Sequence, residues 1–198
     1  MAFPQLPVHQ AFTTSADVVY NVQGCNLFTD RSRYSGNFEV LKTWLSRDYL
    51  WNTVRQLGGA YGCFVQFHHI TGNFALISYR DPQVGRTYAA YDAIANAVQT
   101  LDLSREKLDQ LIIGTYGSLN PHQSPALCGL AARNEFLCGI TPKYKQQRIE
   151  GVIDTEVEGM RSYADLLENL AKNPFRATIG SGEKIKNNAD LFDSILEL

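Results

Sequence analysis

Leu50-Trp-Asn-Thr-Val-Arg-Gln-Leu-Gly-Gly-Ala-Tyr-Gly-Cys-Phe-Val-Gln-Phe67, continued by Phe74-Ala-Leu-Ile-Ser-Tyr-Arg-Asp-Pro82, is the stretch that decides how the chain reads. Leu45, Tyr49, Trp51 and Val54 are the apolar positions of an amphipathic helix that runs into it. Gly58 and Gly59 stop that helix, because a residue without Cβ meets no clash at φ > 0. The runs 61–69 and 73–80 are rich in aromatic and β-branched residues and read as two strands joined by a hairpin turn at Ile70-Thr-Gly-Asn73. Arg55 then sits at the helix end and Tyr61 at the strand start. A helix–Gly–Gly–strand corner aims a guanidinium and a phenol at one point from two rigid elements, as a binding or transition-state site requires. Of the hairpin aromatics Phe64, Phe67, Phe74 and Tyr79, one alternate set is expected to line the inner face of the sheet. Arg80-Asp81 reads as structural, either a local ion pair or a cap that Asp81 places on the helix after Pro82.

Upstream, residues 1–11, with Pro4 and Pro7, read as an extended lead-in or linker remnant. Asp17 to Gln23 is a strand, with Val18, Tyr20 and Val22 on one face and Val19 and Asn21 on the other. Gly24 to Gly36 is loop, and Ser35 or Asn37 caps the helix that continues to Leu57. Downstream, Asp81-Pro82 opens a long helix on Val84, Tyr88, Tyr91, Ile94 and Val98. Ser104 caps the next helix, and Asn120 to Pro125 is loop. A helix of small and apolar residues follows from Ala126 to Leu137, stopped by Gly139, and Thr141-Pro142 opens another. One helix from about Thr155 to Lys172, a strand from Arg176 to Gly180 and a last amphipathic helix from about Asn188 complete the order. This succession is α+β: a small antiparallel or mixed sheet with helices stacked on one side.

The 198 residues suffice for a sizeable core, and 44% hydrophobic with 19% charged residues describes a folded rather than a disordered chain. A net charge of −2 gives no reason to expect nucleic acid or an acidic membrane as partner, and no apolar run approaches a membrane span. Cys25, Cys63, Cys128 and Cys138 are scattered, without a CxxC pair, and read as reduced, mostly buried thiols. Met1-Ala-Phe-Pro4 lacks the basic start and apolar run of a secretory leader, an absence that says little about a longer parent protein; a soluble protein of the cytoplasm or an organelle matrix is expected.

Chemistry within the chain is sparse. No HxxEH motif is present, and His68 and His69, adjacent at a strand end, are expected to face opposite sides of the sheet and not to share a metal; no metal ligand set is assigned. No serine lies in a GxSxG elbow, Cys63 alternates with Phe64 as a structural strand thiol does, and Gly58 to Gly62 lacks the GK[ST] ending of a phosphate loop. The residues alone therefore give no complete active site.

Arg55-x5-Tyr61 within Val54-Arg-Gln-Leu-Gly-Gly-Ala-Tyr-Gly62, followed by Ser78-Tyr-Arg-Asp-Pro82, resembles the C-terminal domain of the presequence proteases. These are pitrilysin/insulinase-type zinc metallopeptidases (inverzincins). Gly24-Cys-Asn-Leu-Phe28, Leu111-Ile-Ile-Gly-Thr115, Ser124-Pro125 and Ala177-Thr-Ile-Gly-Ser181 extend the likeness over residues 12 to 198 in the family's order. The resemblance implies a single two-layer α/β domain, the C-terminal, non-zinc domain of a zinc-dependent metalloendopeptidase that degrades unfolded peptides. It implies that zinc and the general base lie in an N-terminal catalytic half of the same polypeptide, and that Arg55 and Tyr61 reach across to the scissile carbonyl. The chain alone is then inactive and an excised part of a longer one. It is also expected to expose lost interface at Leu127, Leu130, Phe136, Leu137 and the sheet edges, and to pair as a homodimer. The alternative from another class is a stand-alone, non-catalytic peptide-binding or scaffolding module of the same superfamily.

Overall fold

The computed structural model describes residues 8–28, 33–172 and 174–198. Among the described residues, six strands form one mixed sheet: β1 (His9–Thr14), β2 (Val19–Asn26), β3 (Gly62–Phe67), β4 (Asn73–Asp81), β5 (Phe175–Ser181) and β6 (Ser194–Glu197). Their order across the sheet is β3-β4-β2-β5-β1-β6. The β3–β4, β4–β2 and β2–β5 pairs are antiparallel, whereas β1 runs parallel to both β5 and β6. Helices cover one face, which gives the expected two-layer α+β sandwich. The first strand begins at His9, inside the segment that reads as lead-in, because the Val8 carbonyl accepts the Arg176 N–H (3.2 Å) and starts the ladder to β5. Pro4 and Pro7 lie outside the described residues, as does part of the 24–36 loop; the near part of that loop, to Asn26, belongs to β2.

The helical elements are α1 (Asn37–Trp44), α2 (Gly85–Asp92), α3 (Ile94–Gln99), α4 (Arg105–Leu119), α5 (Pro125–Leu137), α6 (Pro142–Ile153), α7 (Val157–Arg161), α8 (Ala164–Lys172) and α9 (Gly182–Lys186). Ser104, Ser124, Thr141 and Ser181 each accept a backbone N–H at the start of a helix. Neither Ser35 nor Asn37 caps α1; Gly36 holds that place, and the Ser35 hydroxyl instead meets the Tyr163 hydroxyl at 2.9 Å. The single helices read over 82–98 and 155–172 are each broken in two, at Ala93 and at Ser162-Tyr163. The closing element is a correction. In place of a helix from Asn188 the chain makes a short turn and then β6, because Asp193 accepts N–H bonds from Val8 (3.2 Å) and His9 (2.9 Å) and docks the tail on the free edge of β1. Leu191, Phe192, Ile195 and Leu196 carry helical spacing, but an unpaired strand edge offers a ladder that a local pattern does not record.

The helix-facing side of the central strands is unusually polar. Asn21, Gln23, Ser78 and Thr178 are buried there, while their neighbours Tyr20, Val22, Ile77, Tyr79 and Ile179 face away. Burial of polar groups is tolerated only when they are paired, and here they are. Asn21 donates to Ser78 Oγ (3.1 Å) and the Gln83 carbonyl (2.9 Å) and accepts from Thr178 (2.9 Å). Arg176 holds Asp92 through two bonds of 2.8 and 2.7 Å and donates to Gln23. The buried apolar side chains form one cluster, with Phe28, Phe38, Leu41, Leu45, Leu76, Phe74 and Leu167 among its members. The outward face is left apolar and open: Phe64, Tyr79, Phe175, Ile179 and Leu196 are all exposed.

Candidate functional site

α1 does not continue as a regular helix towards Arg55. It widens into two runs of i→i+5 turns, Leu45–Tyr49 and Trp51–Gln56, seen in the Leu57 N–H bond to the Asn52 carbonyl (3.0 Å). Such π-turns rotate the side chains that follow, and they gather at functional places. Here they bring Arg55 over Trp51, with the guanidinium carbon 3.8 Å from the ring centroid. Trp51, an apolar helix position in the sequence, is thus an exposed platform rather than a core residue. The helix ends at Gly59 with φ +85°, the left-handed stop its sequence asks for.

The turn returns the chain so that Arg55 Nε donates to the Tyr61 carbonyl at 3.0 Å. Arg55 and Tyr61, the two site residues expected from the sequence, are therefore brought together. The Tyr61 side chain is 67% exposed and stands at the β3 edge of the open sheet face. Its ring packs edge-on against Tyr79 (centroids 5.8 Å apart), and Tyr79 packs in the same way against Tyr20 (5.3 Å). The hairpin aromatics divide by strand parity: Phe67 and Phe74 turn into the core, and Phe64 and Tyr79 out to the open face.

Asp81 forms no ion pair with Arg80 and caps no helix. Its buried carboxylate takes bonds from Asn21, the Gln83 N–H (2.8 Å) and the Thr87 hydroxyl (2.7 Å), and Val84 occupies the N-cap of α2. Arg80 stays exposed, its guanidinium carbon 5.9 Å from the Tyr61 ring centroid. The bottom of the corner is thus a buried acid and its top two arginines among aromatic rings. Sequence reading missed Trp51 and Arg80; the i,i+4 spacing of Trp51 and Arg55 was the one local signal available.

A second polar cluster joins α1, the β3–β4 turn and α6. Burial pushes the Glu39 carboxyl up, but the charges of Lys42 and Arg148 outweigh it and hold Glu39 below the usual carboxylate range. Tyr34 donates to Glu39 at 2.6 Å, and its own hydroxyl is held far above the ordinary phenol value, by burial first and the Glu39 charge second. β3 ends at Phe67, so His68 and His69 lie in the turn, and their rings stack with centroids 5.9 Å apart instead of facing opposite sides. His69 Nδ1 is engaged by the Tyr144 hydroxyl (2.8 Å) and His68 Nδ1 by the Thr71 N–H (3.2 Å). Zinc does not fit here: among the described residues no three His, Cys, Asp or Glu converge, and the Nδ1 atoms of His68 and His69 are each held by a neighbour. Cys25 and Cys63 are half-buried with thiols pushed up to about 11 by burial, whereas Cys128 and Cys138 are exposed, contrary to the expectation of mostly buried thiols. Among the described residues no helix is long and apolar enough to cross a membrane.

The chain is 34% identical over 187 residues to Protein HypA of Clostridium perfringens, covering 94% of this chain and 19% of that protein. It is 29% identical over 182 residues to Presequence protease 1, chloroplastic/mitochondrial, of Arabidopsis thaliana, covering 91% of this chain and 17% of that protein. The chain thus spans about a fifth of the length of these relatives. A solved protease from Helicobacter pylori superposes with a TM-score of 0.64 at 12% identity, over 86% of this chain and 43% of that one, a likeness of fold. The model of the PreP C-terminal domain matches residues 9–181, from the first strand to the end of β5 and across the whole Arg55–Tyr61 corner. The chain belongs to the family of PreP C-terminal domains.

Proposed function

We propose that this chain is the substrate-clamping domain of a zinc-dependent metalloendopeptidase that degrades unfolded peptides, with Arg55 and Tyr61 as its contacts to the scissile carbonyl. The observation that carries the reading is the bond from Arg55 Nε to the Tyr61 carbonyl, which ties a helix end to a strand start and leaves the phenol exposed. Arg55 has further N–H groups beyond Nε, and Tyr61 has its O–H; both are donors suited to an oxygen that gains negative charge. The open face of Phe64, Ile77, Tyr79, Tyr20 and Ile179 offers an extended, unfolded chain an apolar bed beside those donors. Zinc and the general base belong, in this reading, to another part of the parent polypeptide, and the donors act in trans to them.

The reading is tested in the parent enzyme. Arg55→Ala and Tyr61→Phe should each lower kcat/KM by roughly 10²-fold, with zinc content and the fold intact, if each removes one oxyanion donor. Wild-type kinetics in both variants would make the corner structural. The pure 198-residue chain should cleave no unstructured peptide; chelator-sensitive cleavage by it would overturn the division of labour. The same open face also suits a non-catalytic peptide-binding or scaffolding module. For such a module the two substitutions alter peptide affinity, and the parent polypeptide shows no turnover at all.

A further inference from the structure

Where β4 ends, its ladder to β2 loses register. Val19 pairs with Asp81 but Asn21 pairs with Ser78, so Tyr79 and Arg80 together stand opposite Tyr20. An extra residue in one strand is a bulge, a device that re-aims a side chain and recurs beside functional sites. Arg80 occupies it with φ +48° and is the non-glycine residue of positive φ among those described. Left-handed backbone favours glycine, because a Cβ crowds the following carbonyl. A bulky arginine in that conformation persists only where its surroundings hold it. Two contacts do so: the Arg80 carbonyl accepts the Tyr61 N–H (3.3 Å), and the next residue, Asp81, is locked into the buried network. That lock also withholds the adjacent carboxylate. Among the described residues Arg80 has no ion pair, and neither has Arg55.

From this we infer that Arg80 is a third substrate-contacting residue of the corner, a specificity determinant that receives an acidic side chain of the bound peptide near the bond held by Arg55 and Tyr61. The inference rests on the peptide-clamping reading. A guanidinium presents a planar fork of donors matched to a carboxylate, and one parked beside an aromatic ring keeps its outward edge free. The bulge aims the stem that carries that fork at the end of the open face, beside Tyr61.

The test uses the parent enzyme and a set of unstructured fluorogenic peptides in which Glu or Gln is moved through the positions flanking the cleaved bond. At one position the wild type should favour Glu over Gln in KM by about fivefold, the upper range for a solvent-accessible ion pair. Arg80→Gln should collapse that ratio to near one, and Arg80→Lys should restore part of it. Arg80→Gly should collapse it as well while Tm stays level or rises, since glycine adopts the same backbone without strain. A ratio near one in the wild type at every position, or a ratio untouched in Arg80→Gln, would overturn the assignment. So would a loss in Arg80→Gly alone, which would mark a backbone role. If Arg55→Ala and Tyr61→Phe depress turnover while the Arg80 variants keep the ratio, this inference fails and the clamping reading stands; if those two variants behave as wild type, both fall.

Discussion

At Asp81 a carboxylate with no solvent exposure receives the Asn21 amide at 3.2 Å, the Gln83 N–H at 2.8 Å and the Thr87 hydroxyl at 2.7 Å. A buried anion costs several kcal/mol unless every lone pair finds a donor, and three donors here come from β2, the following turn and α2. Removing the acceptor strands the Gln83 N–H and the Thr87 hydroxyl, while the Asn21 amide keeps Ser78 and the Gln83 carbonyl. Asp81→Ala should therefore destabilise the domain by about 3 kcal/mol, and Asp81→Asn by less, because it keeps one oxygen in place. Chemical denaturation monitored by far-UV circular dichroism checks this, and a loss below about 1 kcal/mol for Asp81→Ala would show that water replaces the carboxylate. The sequence presents Arg80-Asp81 as neighbours of opposite charge, which invites a local pair. Only the strand parity and the bulge reveal that one goes inward and the other outward.

At the scale of elements, the joint between α1, the β3–β4 turn and α6 depends on ring stacking and one protonation state. His69 lies between Tyr34 (centroids 6.3 Å) and Tyr144 (5.6 Å). Burial first, and the nearby Arg148 charge second, lower its pKa from 6.5 to about 4. Because the folded value lies below the unfolded one, the unfolded chain takes up a proton between about pH 6.5 and 4 that the folded chain refuses. Stability is then level above this window, declines as pH falls through it and levels off again below it. Glu39, also held low, adds its own loss only below its ordinary value of 4.5. Comparing the wild type with His69→Phe, which keeps the stack without the titration, should give a shallower fall in urea midpoint from pH 6.5 to 4.5 for the variant. Parallel curves would show that His69 titrates freely. None of this joint was legible in the sequence, since His69, Arg148 and Glu39 lie on three elements far apart in the chain.

At the scale of the molecule, α5 stands out. None of its residues is buried, although it is composed of Pro125-Ala-Leu-Cys-Gly-Leu-Ala-Ala-Arg-Asn-Glu-Phe-Leu137. Leu127, Leu130, Phe136 and Leu137 are exposed by 53%, 44%, 84% and 73%, an amount of apolar surface that monomers rarely leave uncovered. The relatives are about five times as long as the region they match in this chain. The isolated chain should therefore self-associate. Light scattering should report species above the monomer mass, and Leu130→Glu with Phe136→Glu should return the monomer while leaving the circular dichroism spectrum intact. A wild-type monomer at high concentration would argue that α5 has no partner.

What the sequence determined by itself was local. Ser104 and Thr141 each cap the helix they precede, Gly59 stops one, and the hairpin strands follow their alternating aromatics. Each of these depends on a few adjacent residues whose backbone geometry is set by their own side chains. The Arg55–Tyr61 corner was legible for the same reason, with five residues between the two, two of them glycines. The tertiary structure alone decided the rest: that the tail pairs with β1 as a strand, that Asn21, Gln23, Ser78 and Thr178 face inward while Tyr20 and Tyr79 face out, and that Trp51 carries Arg55. In each case the outcome turns on partners distant in sequence. A free strand edge recruits an amphipathic tail, and a buried polar face is stable only once its hydrogen bonds close across three strands and a helix.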